Sequence, residues 1–336
     1  MTRLVEHPLD EGWLDWLVGQ LLAERRHEEL VAIMVARGFP PGDADVHVRE
    51  VAGSPILRAA RRSQRQSLKA ADLFAAFATL YGRSGFSLQR RRLTPEQFYR
   101  EHFFANRPVV LTGLAEGWPA LERWTPDQLG SRFGDVVVEV THGRESDPRY
   151  EANFRDHVTK VRFGDYVSRV EQGGASNDLY LVARNHVLDV PGLRALREDF
   201  ACPDGFLDPA TRQQPYVRLW FGPPGTLTPL HCDDRNILFA QVRGRKQVKL
   251  VAPYYYARLY NEDSCYSRVD LEDVDLERFP AMADVTVLNV VLEPGECLFI
   301  PLGWWHWVKA LELSISLTFT NFYSDDPPVL WRQLMA

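Results

Sequence analysis

The sequence is poor in cysteine and contains no long apolar run. Its four cysteines are Cys202, Cys232, Cys265 and Cys297. None belongs to a C-x-x-C pair, which argues against a disulfide framework or a zinc knuckle. No run of about 18 apolar residues is present, and the N-terminus lacks the charged-then-apolar pattern of a secretion signal. We therefore expect a cytoplasmic protein with reduced thiols.

The chain also has no excess of positive charge, no internal repeat and no low-complexity segment. Lys and Arg number 39 against 45 Asp and Glu, which gives a formal net charge of −6. This balance argues against nucleic-acid binding by the whole surface, although a local basic patch remains compatible with it. With 336 residues, of which 45% are hydrophobic, the chain can bury a substantial core in one large domain with an appendage, or in two domains.

The N-terminal part has the spacing of helices. Apolar residues recur at helical intervals over 10–37, and a further helical stretch is predicted over about 57–81. Between them, the run RGFPPGD predicts a break, because glycine and paired prolines do not continue a helix. We expect a small helical domain over residues 1–85. Its role stays open among dimerisation, capping of the following domain and recruitment of a substrate.

From residue 86 onward the sequence consists mainly of short runs rich in residues that favour β-strands. Examples are DVVVEVT, PYVRLWFG, NILFAQVRGRKQVKLVAP and ELSISLTFTNF, each bounded by turn residues. Many short strands punctuated by Gly and Pro favour a barrel or sandwich. The second domain, residues 86–336, is thus predicted to be mainly β with added helices, an α+β fold.

Polar residues of this β-rich region suggest a site. His231 and Asp233 flank Cys232 in TPLHCDD, and His306 ends an apolar run inside a tryptophan cluster. Two imidazoles and one carboxylate on neighbouring strands could occupy one face of an iron ion. Lys246 shares a strand face with apolar residues, so it is either buried and in need of an anion or placed at a solvated edge. Each feature alone is weak, and only the combination is informative.

Three segments carry a resemblance to a known family. LWFGPPGTLTPLHCDD, FAQVRGRKQVKLVAP and LEPGECLFIPLGWWHWVKALELSISLTFTNF resemble JmjC-type, cupin-like (cupin_8) oxygenases that depend on Fe(II) and 2-oxoglutarate. The most similar members are stand-alone protein hydroxylases of the arginyl and asparaginyl hydroxylase type. The resemblance covers about residues 90–325. It implies a double-stranded β-helix, a jelly-roll barrel, and the use of Fe(II), 2-oxoglutarate and O2.

The resemblance also implies roles for individual residues. His231, Asp233 and His306 would be the catalytic iron ligands. Cosubstrate contacts would come from four further residues: Thr228, Lys246, Tyr180 and Asn321. Relatives often place an asparagine six residues after the first ligand, where this chain has Ile237 and its neighbour Asn236. Since Ser314 and Ser316 lie on the strand face opposite Asn321, only one of these sets can point inward, and we expect Asn321.

The substrate is the least determined feature. Residues 261–284 contain eight acidic and two basic side chains, which would either form an acidic rim that attracts a basic peptide or a solvated loop. Residues 54–69 contain five basic and no acidic side chains, which would contact RNA or form a solvated helix face.

Three functions follow in order of preference. The first is hydroxylation of a side chain in a protein or peptide, with a basic peptide as one option, and with release of succinate and CO2. The second is the same chemistry on tRNA or on N-methyl-lysine. The third belongs to another class, a cupin-like binding module without catalysis. No membrane association is expected, and a homodimer remains open.

Overall fold

The computed structural model describes residues 8–82, 87–208, 216–261 and 265–323. The chain divides into two compact units, Met1–Tyr81 and Gly82–Ala336. The predicted boundary between residues 85 and 86 itself lies outside the described residues.

The first unit is helical. Its helices are α1 (Glu11–Leu22), α2 (His27–Ala36), α3 (Pro41–Ala52) and α4 (Pro55–Gly82). Asp10 caps α1 by accepting a hydrogen bond from the backbone N–H of Trp13 at 2.8 Å. The core of this unit consists of small and aliphatic side chains of all four helices: Leu17, Leu21, Leu30, Met34, Ala44, Val48 and Leu57.

Helix α3 was missed by the sequence prediction. The paired prolines indicated only a break, but Pro41 occupies the first turn of a new helix, where its missing N–H costs nothing. The break therefore separates two helices and does not open a long loop.

The second unit combines strands with short helices. Its strands are β1 (Arg90–Arg91), β2 (Val109–Leu111), β3 (Val137–Thr141), β4 (Val158–Arg162), β5 (Val217–Gly222), β6 (Leu227–Cys232), β7 (Ile237–Arg243), β8 (Lys246–Val251), β9 (Val287–Leu292), β10 (Cys297–Ile300), β11 (Trp305–Ala310) and β12 (Ser314–Phe319). Its α-helices are α5 (Pro95–Phe98), α6 (Ala120–Arg123), α7 (Pro126–Phe133) and α8 (Phe163–Gln172).

Two of the sheets form the barrel. The larger has the order β1-β2-β10-β7-β12-β5, and the smaller has the order β6-β11-β8-β9, while β3 and β4 form a separate pair. Apolar side chains of both sheets meet between them, including Phe239, Val248, Leu298 and Val308. The opposite face of the larger sheet packs in a second cluster with residues of α7 and α8, such as Leu129 and Val167. The predicted double-stranded β-helix with added helices is confirmed.

A tight turn at Arg243 and Gly244 joins the two sheets. β7 ends at Arg243 in the larger sheet, and β8 begins at Lys246 in the smaller one. Gly244 has a φ of 64°, and a Cβ atom there would lie 2.0 Å from the backbone oxygen of Leu313. Only glycine meets both conditions without strain. The turn thereby fixes where Lys246 enters the barrel.

None of the helices in the described part of the chain is long and apolar enough to cross a membrane.

Candidate active site

Three side chains with metal-ligating atoms meet where β6 and β11 pair. His231 lies on β6, Asp233 follows the end of that strand, and His306 lies opposite His231 on β11. Their candidate donor atoms all lie within 4.8 Å of one another. The structure therefore brings together the three ligands that the sequence suggested.

Both imidazole rings are oriented by backbone carbonyl groups. Nδ1 of His231 lies 2.8 Å from the carbonyl oxygen of Pro229, and Nδ1 of His306 lies 3.2 Å from that of Trp304. Because a carbonyl oxygen only accepts, each Nδ1 must carry the proton and donate it. In the neutral ring each Nε2 then carries the lone pair, which is the arrangement of metal-bound histidines held by an outer hydrogen bond.

The environment keeps His306 neutral. Burial, and next the neighbouring His231, lower the pKa of His306 well below its ordinary value. Neutral imidazole is the form that binds metal. Two imidazole nitrogens and the Asp233 carboxylate match the facial triad of non-haem Fe(II), which leaves the remaining positions of the ion open. The donor set therefore fits an iron ion.

Lys246 is buried beside this cluster. Its side chain is 1% exposed, and its Nζ donates a hydrogen bond to the hydroxyl oxygen of Tyr180 at 3.0 Å. Burial alone lowers the pKa of Lys246 to about 7, and no carboxylate pairs with it within the described ranges. Of the two readings open from sequence, the buried one holds, and such an ammonium group is suited to an anionic ligand.

Two further predicted cosubstrate contacts lie next to Lys246. Tyr180 is buried, with its pKa raised above the ordinary value by burial. Thr228 lies on β6, three residues before His231, and its hydroxyl forms a hydrogen bond with Tyr180. Lys246, Tyr180 and Thr228 thus form a polar group at the inner part of the site.

All these side chains line one cavity of about 300 Å³. The smaller sheet contributes the histidine ligands and Lys246. The larger sheet contributes Trp220, Ile237 and Phe239, and also the polar Arg218 and Thr318. Polar and apolar side chains therefore meet in this cavity, as is usual for small-molecule sites.

The tryptophan cluster divides between cavity and core. Trp220 lines the cavity. Trp305 and Trp307 are 1% exposed and pack in an apolar cluster of β6, β8 and β11. Trp304 is buried, and its Nε1 donates to the side-chain oxygen of Asn106 at 2.8 Å. Of these four tryptophans, Trp304, Trp305 and Trp307 therefore pack in the core, and Trp220 lines the cavity.

The expectation that Asn321 faces the site is wrong. The inner face of β12 carries the even-numbered residues, and Thr318 and Thr320 line the cavity. Asn321 therefore points the other way, and its amide donates to the backbone oxygen of Asp208 at 2.9 Å. Ser316 shares the inner face and donates a hydrogen bond to Gln241 at 2.8 Å. The pairing of β12 with β5 is regular, although its pairing with β7 shifts register between Ile315 and Ser316, and the alternation of side chains along β12 therefore turns the serine and threonine set inward.

The alternation of side chains also determines which of Asn236 and Ile237 faces the cavity. Ile237 lines the cavity. The side-chain oxygen of Asn236 accepts a hydrogen bond from the backbone N–H of Leu302 at 2.9 Å. Asn236 thus holds the segment that precedes β11 and does not reach the cavity.

The cavity mouth contains residues that sequence reasoning missed. Tyr266 stacks on His231 with ring centroids 5.3 Å apart, and its hydroxyl donates to Glu151 at 3.1 Å. Glu151 also pairs with the buried Arg144 at 3.2 Å and with Arg184 at 3.6 Å. These residues come from separate loops without a recognisable motif, so no sequence signal could have grouped them.

Of the two alternatives for residues 261–284, an acidic rim or a solvated loop, the rim does not form in the described part of that segment. Only Cys265 and Tyr266 of this segment line the cavity, within the described residues. Glu272 pairs with Lys309, and Asp284 pairs with Arg258 at 3.0 Å. The described acidic side chains are exposed, and the solvated-loop reading is the better one. Glu262 and Asp263 lie outside the described residues.

Comparison with known proteins agrees with this geometry. The family described as a cupin-like domain matches residues 95–327, most of the chain. The chain belongs to the cupin-like domain family. This match, together with JmjC-domain relatives, confirms the resemblance to JmjC-type Fe(II)- and 2-oxoglutarate-dependent oxygenases.

The relatives of this chain include proteins named as demethylases and one named as a tRNA wybutosine-synthesizing protein. Lysine-specific demethylase 8 of Xenopus tropicalis is 31% identical over 66% of this chain and 50% of its own length. Lysine-specific demethylase JMJ30 of Arabidopsis thaliana is 32% identical over 69% and 53%. The tRNA wybutosine-synthesizing protein 5 of Danio rerio is 27% identical over 71% and 73%. The chain spans about half the length of the two demethylases.

The cofactors of JmjC oxygenases are Fe(II), 2-oxoglutarate and O2. The His-Asp-His cluster of this family member supplies the matching metal ligands. The buried ammonium group of Lys246 lies in the same cavity, where a carboxylate would be stabilised by it.

Proposed function

We propose that this chain is an Fe(II)- and 2-oxoglutarate-dependent dioxygenase that oxidises a C–H bond on a side chain of a protein or peptide. The observation that carries the proposal is the single cavity shared by the metal cluster and Lys246. A metal cluster alone would suit many reactions. A buried ammonium group beside it adds the need for an anion, and 2-oxoglutarate satisfies both.

Each residue then has a defined task. His231, Asp233 and His306 would hold the iron. Lys246 would donate to the distal carboxylate of 2-oxoglutarate, and Thr228 would supply a hydroxyl group to the same carboxylate. When bound, Fe(II), 2-oxoglutarate and O2 supply the oxidation of a C–H bond, with release of succinate and CO2.

Aromatic side chains in the cavity can contact a cationic side chain. Tyr216, Trp220 and Tyr266 line the cavity together with Glu151, and Arg184, Arg218 and Arg235 line it as well. Aromatic faces attract ammonium and guanidinium groups. Glu151 adds a negative charge that is shared with neighbouring arginines. We therefore place lysine or arginine first among the residues to be tested as substrates.

The relatives' names favour N-methyl-lysine demethylation over the direct hydroxylation expected from sequence. Both start from oxidation of a C–H bond. If the carbon belongs to an N-methyl group, the hydroxylated product releases formaldehyde and leaves an N–H group. If it belongs to the side chain itself, the hydroxyl group stays. The position of the substrate carbon, and not the iron site, separates the two activities.

An RNA substrate is the second candidate. One relative is named as a tRNA wybutosine-synthesizing protein, and the basic segment predicted from sequence lies on α4. Its Arg58, Arg62, Arg65 and Lys69 are exposed and recur at intervals of four, three and four residues, so they share one helix face. Such a row of cations would contact phosphates.

Anaerobic titration with Fe(II) and 2-oxoglutarate tests the proposed function. We expect the weak visible charge-transfer band of an iron-bound keto acid in the wild type and its loss in His306→Ala. Asn321→Ala is the matched control, because Asn321 is buried but lies outside the cavity, and it should retain the band. Absence of the band in the folded wild type would favour a non-catalytic binding module.

The product then identifies the substrate class. Unmodified and N-methylated lysine peptides, arginine peptides and tRNA are incubated with the aerobic enzyme, and products are examined by mass spectrometry. Gain of one oxygen atom indicates hydroxylation, whereas loss of a methyl group with formaldehyde release indicates demethylation. Succinate formation that Asp233→Ala abolishes must accompany either. The cytoplasmic location and a possible homodimer stay predictions.

A further inference from the structure

The two histidine ligands have different neighbours in the smaller sheet. His306 lies on β11, an inner strand, between His231 of β6 and Leu250 of β8. His231 lies on β6, the outer strand of this sheet. On the side of β11, its ring contacts that of His306, with centroids 4.0 Å apart. On the outer side, its neighbour has to come from a segment that is not one of the strands of this sheet.

A short segment covers this outer side of β6. Two backbone hydrogen bonds, of 3.1 and 2.8 Å, join residues 265–267 to β6. They flank His231 and Tyr266, which lie directly opposite each other in an isolated antiparallel bridge. Side chains approach each other most closely in such a non-hydrogen-bonded pair. Tyr266 therefore takes the place beside His231 that a further strand would otherwise fill.

The aromatic ring of Tyr266 lies nearly parallel to the imidazole of His231. The ring centroids are 5.3 Å apart, and the angle between the planes is 26°, an offset-stacked arrangement that aromatic rings favour. The hydrogen bond from Nδ1 of His231 to the Pro229 oxygen, at 2.8 Å, holds one edge of the imidazole but leaves rotation about that bond. Tyr266 on one side and His306 on the other restrict this rotation.

The hydroxyl group of Tyr266 is held by charged side chains of two other segments. It donates to the carboxylate of Glu151 at 3.1 Å and accepts from Nη2 of Arg184 at 3.0 Å. Arg184 also donates to the backbone oxygen of Glu151 at 3.1 Å. A phenylalanine would fill the same space beside His231. The hydroxyl adds hydrogen bonds to charged groups, which fix the orientation of the ring.

We propose that Tyr266 is a positioning residue for the metal ligand His231, with its ring stacked on the imidazole and its hydroxyl anchored by Glu151 and Arg184. The inference rests on the proposed function, because it concerns the iron site on which that function depends. Partners that orient a metal-bound histidine strengthen metal binding, because they remove orientations in which the nitrogen does not face the ion.

Titration of the full chain with Co(II) alone tests this role without turnover. Co(II) accepts imidazole and carboxylate ligands as Fe(II) does, and its visible absorption depends on how those ligands are arranged. Tyr266→Leu keeps an apolar side chain but removes the stacked ring. We expect Co(II) to bind about tenfold more weakly to this variant. The visible bands of the bound ion should also change, because His231 is no longer held in one orientation.

Two further variants separate positioning from packing. Tyr266→Phe keeps the stacked ring and loses only the hydroxyl, so its affinity for Co(II) should lie between those of the wild type and Tyr266→Leu. Tyr255→Leu is the matched control. Tyr255 stacks on Tyr254 with centroids 4.7 Å apart and donates to Thr286 at 3.2 Å, but it does not line the cavity. This control should bind Co(II) with the affinity and the spectrum of the wild type.

The variants decide the positioning role in the following way. Wild-type affinity and spectrum in both Tyr266 variants would overturn it, and so would an equal loss of Co(II) affinity in Tyr255→Leu. A loss in Tyr266→Leu with wild-type behaviour in Tyr266→Phe would support the stacked ring and overturn the part assigned to the hydroxyl. Should Tyr266→Leu not fold, an unchanged Tyr266→Phe overturns the proposal.

A second measurement keeps this inference apart from the proposed function. Conversion of 2-oxoglutarate to succinate in the presence of Fe(II) is measured on the same wild-type preparation. If the wild type binds Co(II) but forms no succinate, the proposed function fails, and the Tyr266 variants still decide the positioning role. If succinate forms and the Tyr266 variants bind Co(II) as the wild type does, the positioning role alone is refuted.

Discussion

At the residue scale, Lys246 shows how this site exchanges stability for binding. The pKa of its ammonium group is lowered from an ordinary value of 10.5 to about 7 by burial alone. Between these two values the unfolded chain binds a proton that the folded chain does not. The stability of the ligand-free protein therefore rises with pH across that interval. A residue selected for stability alone would be apolar here.

Replacement of Lys246 by Met should accordingly stabilise the ligand-free protein and prevent cosubstrate binding. We expect the free energy of unfolding at neutral pH to increase by on the order of 2 kcal/mol, because a buried charge is removed at similar volume. Chemical denaturation measures the first effect, and anaerobic titration with 2-oxoglutarate measures the second. A less stable variant, or one that still binds 2-oxoglutarate, would contradict the role assigned to this lysine.

The same pKa predicts how 2-oxoglutarate binding depends on pH. A carboxylate binds to the charged lysine, which predominates below the lowered pKa of about 7. Affinity should therefore fall as pH rises from about 7 to 9, by up to tenfold per pH unit. Titrations at saturating metal measure it. In Lys246→Arg the cation persists throughout this range, and the profile should be flat.

At the scale of strands and turns, the alternation of side chains along β12 and the turn at Gly244 determine which side chains face the site. β12 pairs with β5 and β7, and its regular pairing with β5 turns Thr318 inward and Asn321 outward. The turn at Gly244 connects β7 of the larger sheet to β8 of the smaller sheet. It thereby fixes the position of Lys246, the first residue of β8. A local change at either place alters the site without touching a ligand.

Substitution of Gly244 by Ala should destabilise the fold strongly. The φ of 64° and the backbone oxygen of Leu313, 2.0 Å from a Cβ atom, both oppose a side chain. Gly174 is the matched control, with a φ of 70° and no atom within 4 Å of a Cβ. Denaturant unfolding should show a loss of about 1 kcal/mol for Gly174→Ala and at least about 3 kcal/mol for Gly244→Ala. Equal losses would show that the close approach relaxes freely.

At the scale of the whole molecule, charge is distributed unevenly. The chain carries a net charge of −6, yet α4 has a row of exposed cations that includes Arg62 and Lys69. The cavity of the second unit is lined by cationic side chains, Arg184, Arg218, Arg235 and Lys246, together with the acidic Glu151 and Asp233. Net charge therefore says little about which surface meets an anion.

If α4 binds RNA, neutralising its basic face should weaken that binding, because fewer phosphates are neutralised by the protein. The double variant Arg62→Gln, Lys69→Gln should lower tRNA affinity and reduce the slope of log affinity against log salt by roughly 0.9 for each phosphate that is no longer neutralised. Arg25→Gln with Arg37→Gln removes the same charge from exposed positions outside α4. Fluorescence polarisation should separate the two. Identical slopes would remove the support for an RNA substrate, while peptide oxidation should be the same in both variants.

Much of the barrel and metal cluster could be predicted because their signals are local. Short β-rich runs bounded by turn residues marked the β-rich region, and the close spacing of His231 and Asp233 suggested a pair of metal ligands. The pairing of β6 with β11 places His306 directly opposite His231. Helix α3 was missed because paired prolines permit either a loop or a helix start, and local sequence does not distinguish the two.

By itself, the sequence indicated a barrel or sandwich, and its resemblance to JmjC-type oxygenases implied the double-stranded β-helix and the metal ligands, because residue types and short motifs carry these signals. Tertiary structure alone decided that Lys246 is buried and that Thr318 and Thr320 face inward in place of Asn321. It also decided that the described acidic segment stays mostly outside the cavity and that Glu151, Arg184 and Arg218 line it. These features depend on which strands pair and where distant loops meet. Such contacts leave no periodic signal in a single chain.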